Sequence, residues 1–201
     1  MNETAQSMPS GNGRLIVVVG PSGAGKDTLM SYAARHLQGR HDVVFVRRVI
    51  TRDGEAGGED HDAVSEADFR RMAQSGGFAV SWEAHGLRYG IPAETLRQID
   101  RGQVVVANGS RSALPHFSAA FPAMTVINVT ARPDVLAARL EARGRETREE
   151  IFQRLQRGSP RLVGPYELVT IDNSGAVADA GQAMINALTR YLPDRPAASP
   201  R

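Results

Sequence analysis

A three-layer α/β fold around a parallel sheet is the fold class this chain predicts, on three observations. Short β-branched apolar runs alternate along the chain with segments of helical period. The first of those runs ends in a glycine-rich stretch that leads directly into a helix. A chain of 201 residues, 41% hydrophobic and 23% charged, has enough apolar material for one well-packed domain and is not polar enough for global disorder.

The elements follow in order. Residues 14–19, Arg-Leu-Ile-Val-Val-Val, read as a strand buried on both faces and closed by Gly20. Residues 26–37 follow as a helix with Leu29, Ala33 and Leu37 on one face. Residues 43–50, 104–107, 124–130 and 168–171 are the further strands. Residues 93–101, 133–143, 148–157 and 177–191 are helices between and after them. Right-handed crossovers are expected from chain chirality. Residues 51–102 break this rhythm. A Gly- and acid-rich loop at 53–60 precedes a short helix near 66–74 and the alternating run Phe78-Ala79-Val80-Ser81-Trp82. Insertions of this size between sheet strands are usually functional or disordered, and the aromatic content here favours a folded subdomain. The domain is expected to span residues 14–192, between polar or Pro-rich tails at 1–13 and 193–201.

Composition narrows the function classes. With no Cys, disulfide and Cys-ligated zinc scaffolds are excluded. No apolar run approaches the roughly 20 residues of a membrane helix, so no membrane partner is expected. The net charge of +2 and the absence of a block of five basic residues argue against nucleic acid. Residues 1–13 lack the basic-then-apolar order of a signal peptide, and a cytoplasmic protein is expected, as monomer or homodimer.

The chemistry starts at Gly20-Pro21-Ser22-Gly23-Ala24-Gly25-Lys26-Asp27-Thr28. Its G-x-x-x-x-G-K spacing sits after a strand and before a helix, the context a phosphate-binding P-loop requires. Glycines let backbone N–H groups turn toward phosphates, and the helix N-terminus adds its positive end. Lys26 supplies a point charge for the β- and γ-phosphates of ATP. It is the only Lys among the 24 basic residues. P-loops usually carry Ser or Thr after the Lys as a Mg²⁺ ligand, and here Asp27 stands there. A carboxylate is also a hard oxygen ligand, so Mg²⁺ at Asp27, with Thr28 sharing the role, is expected.

Beyond the loop, the chain resembles the guanylate kinase family over nearly all of residues 14–192. The matching pieces are Thr51-Arg52, Trp82, Tyr89-Gly90-Ile91-Pro92, and residues 139–145 running into Arg154-Leu155. The resemblance implies an insert, about 51–102, that closes over the acceptor, and a lid, about 143–158, that brings arginines to the transferring phosphate. It nominates Arg143 and Arg154 as catalytic, with Arg139 beside the nucleotide and Asn173 contacting adenine. Arg139, Arg143, Arg154 and Arg157 also recur at helical intervals, although Glu141, Glu146, Glu149 and Glu150 leave a solvated salt-bridged helix open as the plainer reading.

The departures from the family redirect the acceptor. Ser81 replaces the carboxylate that reads guanine, Glu55 replaces a second arginine, Arg88 replaces a tyrosine, and Asn108 replaces an acidic residue. Losing base-reading groups while gaining Arg88 and Arg111 fits an acceptor with no base and more phosphate. Together with Gly58-Glu59-Asp60-His61 and Asn108-Gly109-Ser110-Arg111, this pattern is similar to the ribose 1,5-bisphosphate phosphokinase branch of that family. The resemblance implies an ATP-dependent phosphotransferase acting on a sugar phosphate in phosphonate breakdown. Arg52, Ser81, Arg88, Tyr89, Asn108 and Arg111 are then the acceptor-binding candidates, and His61 and His85 are placed near sugar hydroxyls. A nucleoside monophosphate kinase and a non-catalytic guanylate-kinase-like interaction module are the competing readings.

Overall fold

The computed structural model describes residues 13–52, 60–144 and 162–193. Its main sheet has five parallel strands in the order β2-β7-β1-β8-β9. These are β1 (Arg14–Val19), β2 (Val43–Phe45), β7 (Val104–Asn108), β8 (Met124–Thr130) and β9 (Glu167–Asp172). Five helices pack around or follow them: α1 (Lys26–His36), α3 (Glu94–Asp100), α4 (Leu114–Ala120), α5 (Pro133–Arg143) and α6 (Val177–Thr189). A second, four-stranded sheet in the order β4-β3-β6-β5 belongs to the insert. It comprises β3 (Val49–Ile50), β4 (Asp62–Ala63), β5 (Phe78–Ala84) and β6 (Leu87–Pro92), with α2 (Glu66–Gln74) packed on β5.

Strand β1 is central and buried on both faces, which is why its sequence is continuously apolar. Ile16 and Val18 enter a core with Leu29 and Ala33 of α1 and Met184 and Leu188 of α6. Leu15, Val17 and Val19 point the other way, into a core with Phe117 of α4. That second core also takes Ile50, Val80, Trp82, Tyr89 and Ile91, so the insert's sheet shares apolar burial with the main sheet. Trp82 is the link: it stacks on Tyr89 with centroids 5.3 Å apart and meets Phe117 at 5.5 Å. The aromatic content of the insert therefore reflects a real packed layer.

One expected element differs in the structure, and three elements were not expected. The run 43–50 is not one strand: β2 pairs with β7 through Phe45, and the chain then crosses to the insert's sheet, where Val49 pairs with Gly90. Helix α4 and strands β4 and β6 were not expected as elements; α4 is only seven residues long and begins around Pro115. The expected helix at 148–157 lies outside the described residues.

Candidate functional site

The Gly20–Thr28 loop connects β1 to α1 at the carboxyl edge of the main sheet. Two of its glycines are dictated by geometry. Gly25 has φ 88°, and a Cβ there would lie 2.4 Å from Asn173 Nδ2. A Cβ on Gly20 would lie 2.2 Å from the Val129 carbonyl oxygen of β8. Only glycine lets the chain curl this tightly against β8 and β9. Lys26 opens α1, and its Nζ donates to the carbonyl oxygens of Gly20 (3.1 Å) and Pro21 (3.5 Å), so the ammonium is folded back over the loop. No side chain caps α1, which leaves its first-turn N–H groups for a bound anion.

Asn173 and Arg139 support this loop from beneath. Asn173 is buried, and its Nδ2 donates to the Ala24 carbonyl at 2.7 Å. Arg139 Nη2 donates to the Asn173 carbonyl at 2.9 Å, and Nη1 reaches the Gly23 carbonyl at 3.4 Å. Asn173 was expected to contact adenine; its amide nitrogen donates to the loop, while its buried Oδ1 meets no donor among the described residues. Arg139 is placed against the nucleotide loop, as a brace between α5 and the turn after β9.

Asp27 sits in the first turn of α1, and its Oδ1 accepts from Asn108 Nδ2 at 2.7 Å. Asn108 is the last residue of β7 and is buried. It was expected among the acceptor-binding residues, and its amide nitrogen donates to Asp27 on the loop. Thr28 is exposed at the next helical position. A Mg²⁺ ion in kinases takes one or two carboxylates plus substrate phosphate oxygens. A hard carboxylate at Asp27, beside a loop shaped for phosphate, fits such an ion.

The acceptor candidates fall into distinct groups. Arg52 lines an open cavity of about 400 Å³ with Thr51, Ala63, Val64, Ser65, Glu66 and Gly86. Its Nη2 lies 3.5 Å from His61 Nδ1, and its Nε is buried with no hydrogen-bond partner among the described residues. Arg111 lies in a 3₁₀ turn just after β7 and is half-buried. Burial lowers its pKa from the ordinary guanidinium value, and no carboxylate among the described residues pairs with it. Both arginines therefore hold donor capacity that a phosphate would satisfy.

Arg88 differs. Its guanidinium is held by Glu66 (2.7 Å) and Glu83 (2.8 Å), so its charge is already balanced. Glu66 also pairs with Arg70; burial opposes its ionisation, but the Arg70 and Arg88 cations outweigh it and hold the carboxyl below its ordinary value. Ser81 is exposed and paired with Gly90. The pleat puts it on the face opposite Trp82 and Tyr89, away from the shared core and on the side of Glu83 and Arg88. Tyr89 is buried and stacked on the Trp82 ring, and the Arg48 guanidinium carbon lies 4.8 Å from the Tyr89 ring centre and 5.7 Å from that of Trp82.

His61 is buried against Arg52, its Nε2 being 3.4 Å from the Arg52 carbonyl oxygen, so it positions that arginine. His85 has φ 53° and forms with Gly86 the two-residue turn of the β5–β6 hairpin. Its placement is that of a turn residue. Arg48 and Glu66 were missed by the sequence reading, and nothing local in the sequence distinguishes them from surface charges. Arg143 closes α5, and Arg154 lies outside the described residues.

The chain is similar to several known proteins. A family model described as an AAA domain matches residues 16–156. The chain is 59% identical over 174 residues to the ribose 1,5-bisphosphate phosphokinase PhnN of Agrobacterium fabrum, covering 87% of this chain and 95% of that one. It is 61% identical over 180 residues to the protein of the same name from Rhizobium etli, covering 90% and 91%. The crystal structure of guanylate kinase from Anaplasma phagocytophilum superposes with a TM-score of 0.61 at 19% identity, covering 94% of this chain and 91% of that one. The last likeness establishes the guanylate-kinase-like P-loop fold.

Proposed function

The chain belongs to the ribose 1,5-bisphosphate phosphokinase family, and from that premise we propose that it transfers the γ-phosphoryl group of ATP to the 1-phosphate of ribose 1,5-bisphosphate. The products are ADP and 5-phosphoribosyl 1-diphosphate, and the place in metabolism is the breakdown of phosphonates in the cytoplasm. The observation that carries this reading is the contrast among the arginines. Among the described residues Arg52 Nε is buried without a hydrogen-bond partner and Arg111 pairs with no carboxylate, whereas no carboxylate stands at Ser81 to read a purine.

The acceptor is a phosphate monoester whose second pKa is about 6, so at neutral pH it is already largely a dianion. No side chain has to remove a proton. The difficulty is the approach of two polyanions, which positioned cations relieve. Lys26 and the loop N–H groups hold the ATP phosphates, Arg52 and Arg111 hold the acceptor's phosphates, and Arg143 and Arg154 supply charge from the lid. Mg²⁺, when bound through Asp27, neutralises charge on the β- and γ-phosphate oxygens.

Acceptor choice tests the reading. With ATP and MgCl₂ present, ADP release is expected with ribose 1,5-bisphosphate and at background level with GMP. Turnover of GMP at a comparable kcat/KM would show that the purine site persists and would overturn the sugar-phosphate assignment.

A further inference from the structure

We infer that Asn108 is a positioning residue for the divalent cation of the ATP complex, and that Asp27 and Asn108 exchange the two residue types with which P-loop enzymes usually hold it. This rests on the ATP-site reading above. P-loop NTPases hold Mg²⁺ with a Ser or Thr hydroxyl at the start of the helix and an Asp on a strand. In this chain the helix position carries the carboxylate, Asp27, and the end of the neighbouring strand carries the neutral group, Asn108.

The topology puts the two positions together. β7 lies directly beside β1, with Val18 opposite Asn108, and the Gly109 N–H donates to the Val18 carbonyl at 2.8 Å. The end of β7 therefore lies against the loop that leaves β1, 81 residues away in sequence, and the Asn108 amide reaches Asp27 Oδ1 at 2.7 Å. That hydrogen bond fixes the carboxylate's rotamer and occupies one oxygen. Asp27 Oδ2, which makes no hydrogen bond to a described residue, is the atom left for a cation.

The pair is also coupled by charge. Two carboxylates at this separation would repel, and one would have to take up a proton. Two neutral residues would leave the site with no anion for the metal. One carboxylate and one neutral donor is the stable combination, and it can be written in either order. The amide does for Asp27 what outer-shell groups do for metal ligands elsewhere: it orients the ligand without binding the ion.

The test measures binding, not turnover. ATP is titrated by calorimetry into the full chain with and without MgCl₂, and the gain in affinity from Mg²⁺ is the readout, with melting temperatures taken alongside. Asn108→Ala and Asp27→Ser are each expected to cut that gain by about tenfold or more, the usual effect of losing a metal's supporting shell. Asp27→Ser should also bind metal-free ATP at least as tightly as the parent, because a carboxylate facing the polyphosphate is gone. The combined variant Asp27→Ser with Asn108→Asp restores the usual order and is expected to recover most of the lost gain. It also supplies the test if Asn108→Ala does not fold. A combined variant no better than Asp27→Ser alone, or an Asn108→Ala protein with the full Mg²⁺ gain, would overturn the inference. Failure of the parent protein to bind ATP in either buffer would instead overturn the ATP-site reading on which it rests.

Discussion

Lys26→Ala is expected to lower kcat by about two to three orders of magnitude, the range found when one preorganised donor is removed from a developing charge. The melting temperature should move far less than kcat, because a half-buried ammonium that donates to loop carbonyls at 3.1 and 3.5 Å leaves groups that water can reach when it is removed. Lys26→Arg is not expected to rescue the loss. A planar guanidinium cannot occupy a loop turned around a compact ammonium. Since Lys26 is the chain's only lysine, no neighbouring lysine can take over its role. Comparison of kcat with melting temperature separates loss of chemistry from loss of fold. A variant that keeps full turnover would mean that this loop does not hold the transferring phosphates.

The second large effect divides the arginines. Arg52→Ala and Arg111→Ala should each raise the acceptor KM by about tenfold to a hundredfold, the worth of a charge-assisted hydrogen bond of roughly 1.5–3 kcal/mol. The ATP KM should change little. Arg88→Ala should have a much smaller effect, because its charge is engaged by Glu66 and Glu83 at the surface, and exposed pairs contribute about 0–1 kcal/mol. Steady-state kinetics with both substrates varied gives all three comparisons. An Arg88 variant more damaged than the Arg52 variant would reverse the division proposed from the burial of Arg52 Nε and the ion pairs of Arg88.

The parts of the site that are local in sequence were legible before any coordinates. The strand, the glycine loop and the helix from Arg14 to His36 are contiguous, so the spacing and context of the motif could be read within a few neighbours. The parallel sheet followed from the alternation of apolar runs with helical segments. What escaped was set by contacts between distant segments. Residues 43–50 have strand propensity throughout, and only the presence of β7 on one side and β6 on the other decides where the chain changes sheets. The hydrogen bonds from Asn108 to Asp27 and from Asn173 to Ala24 join residues 81 and 149 positions apart, so neither role could be read locally. The side that Ser81 occupies was legible locally: the alternation Val80-Ser81-Trp82 puts it on the face opposite its apolar neighbours.

Transfer of phosphate onto phosphate at the sugar's anomeric position can be followed by ³¹P NMR of a reaction containing ATP, MgCl₂ and ribose 1,5-bisphosphate. The anomeric monophosphate resonance is expected to be replaced by the two coupled resonances of a diphosphate ester, while the 5-phosphate remains a monoester and ADP grows in step. Unchanged bisphosphate resonances beside accumulating inorganic phosphate, or phosphorylation at any other position of the sugar, would contradict it.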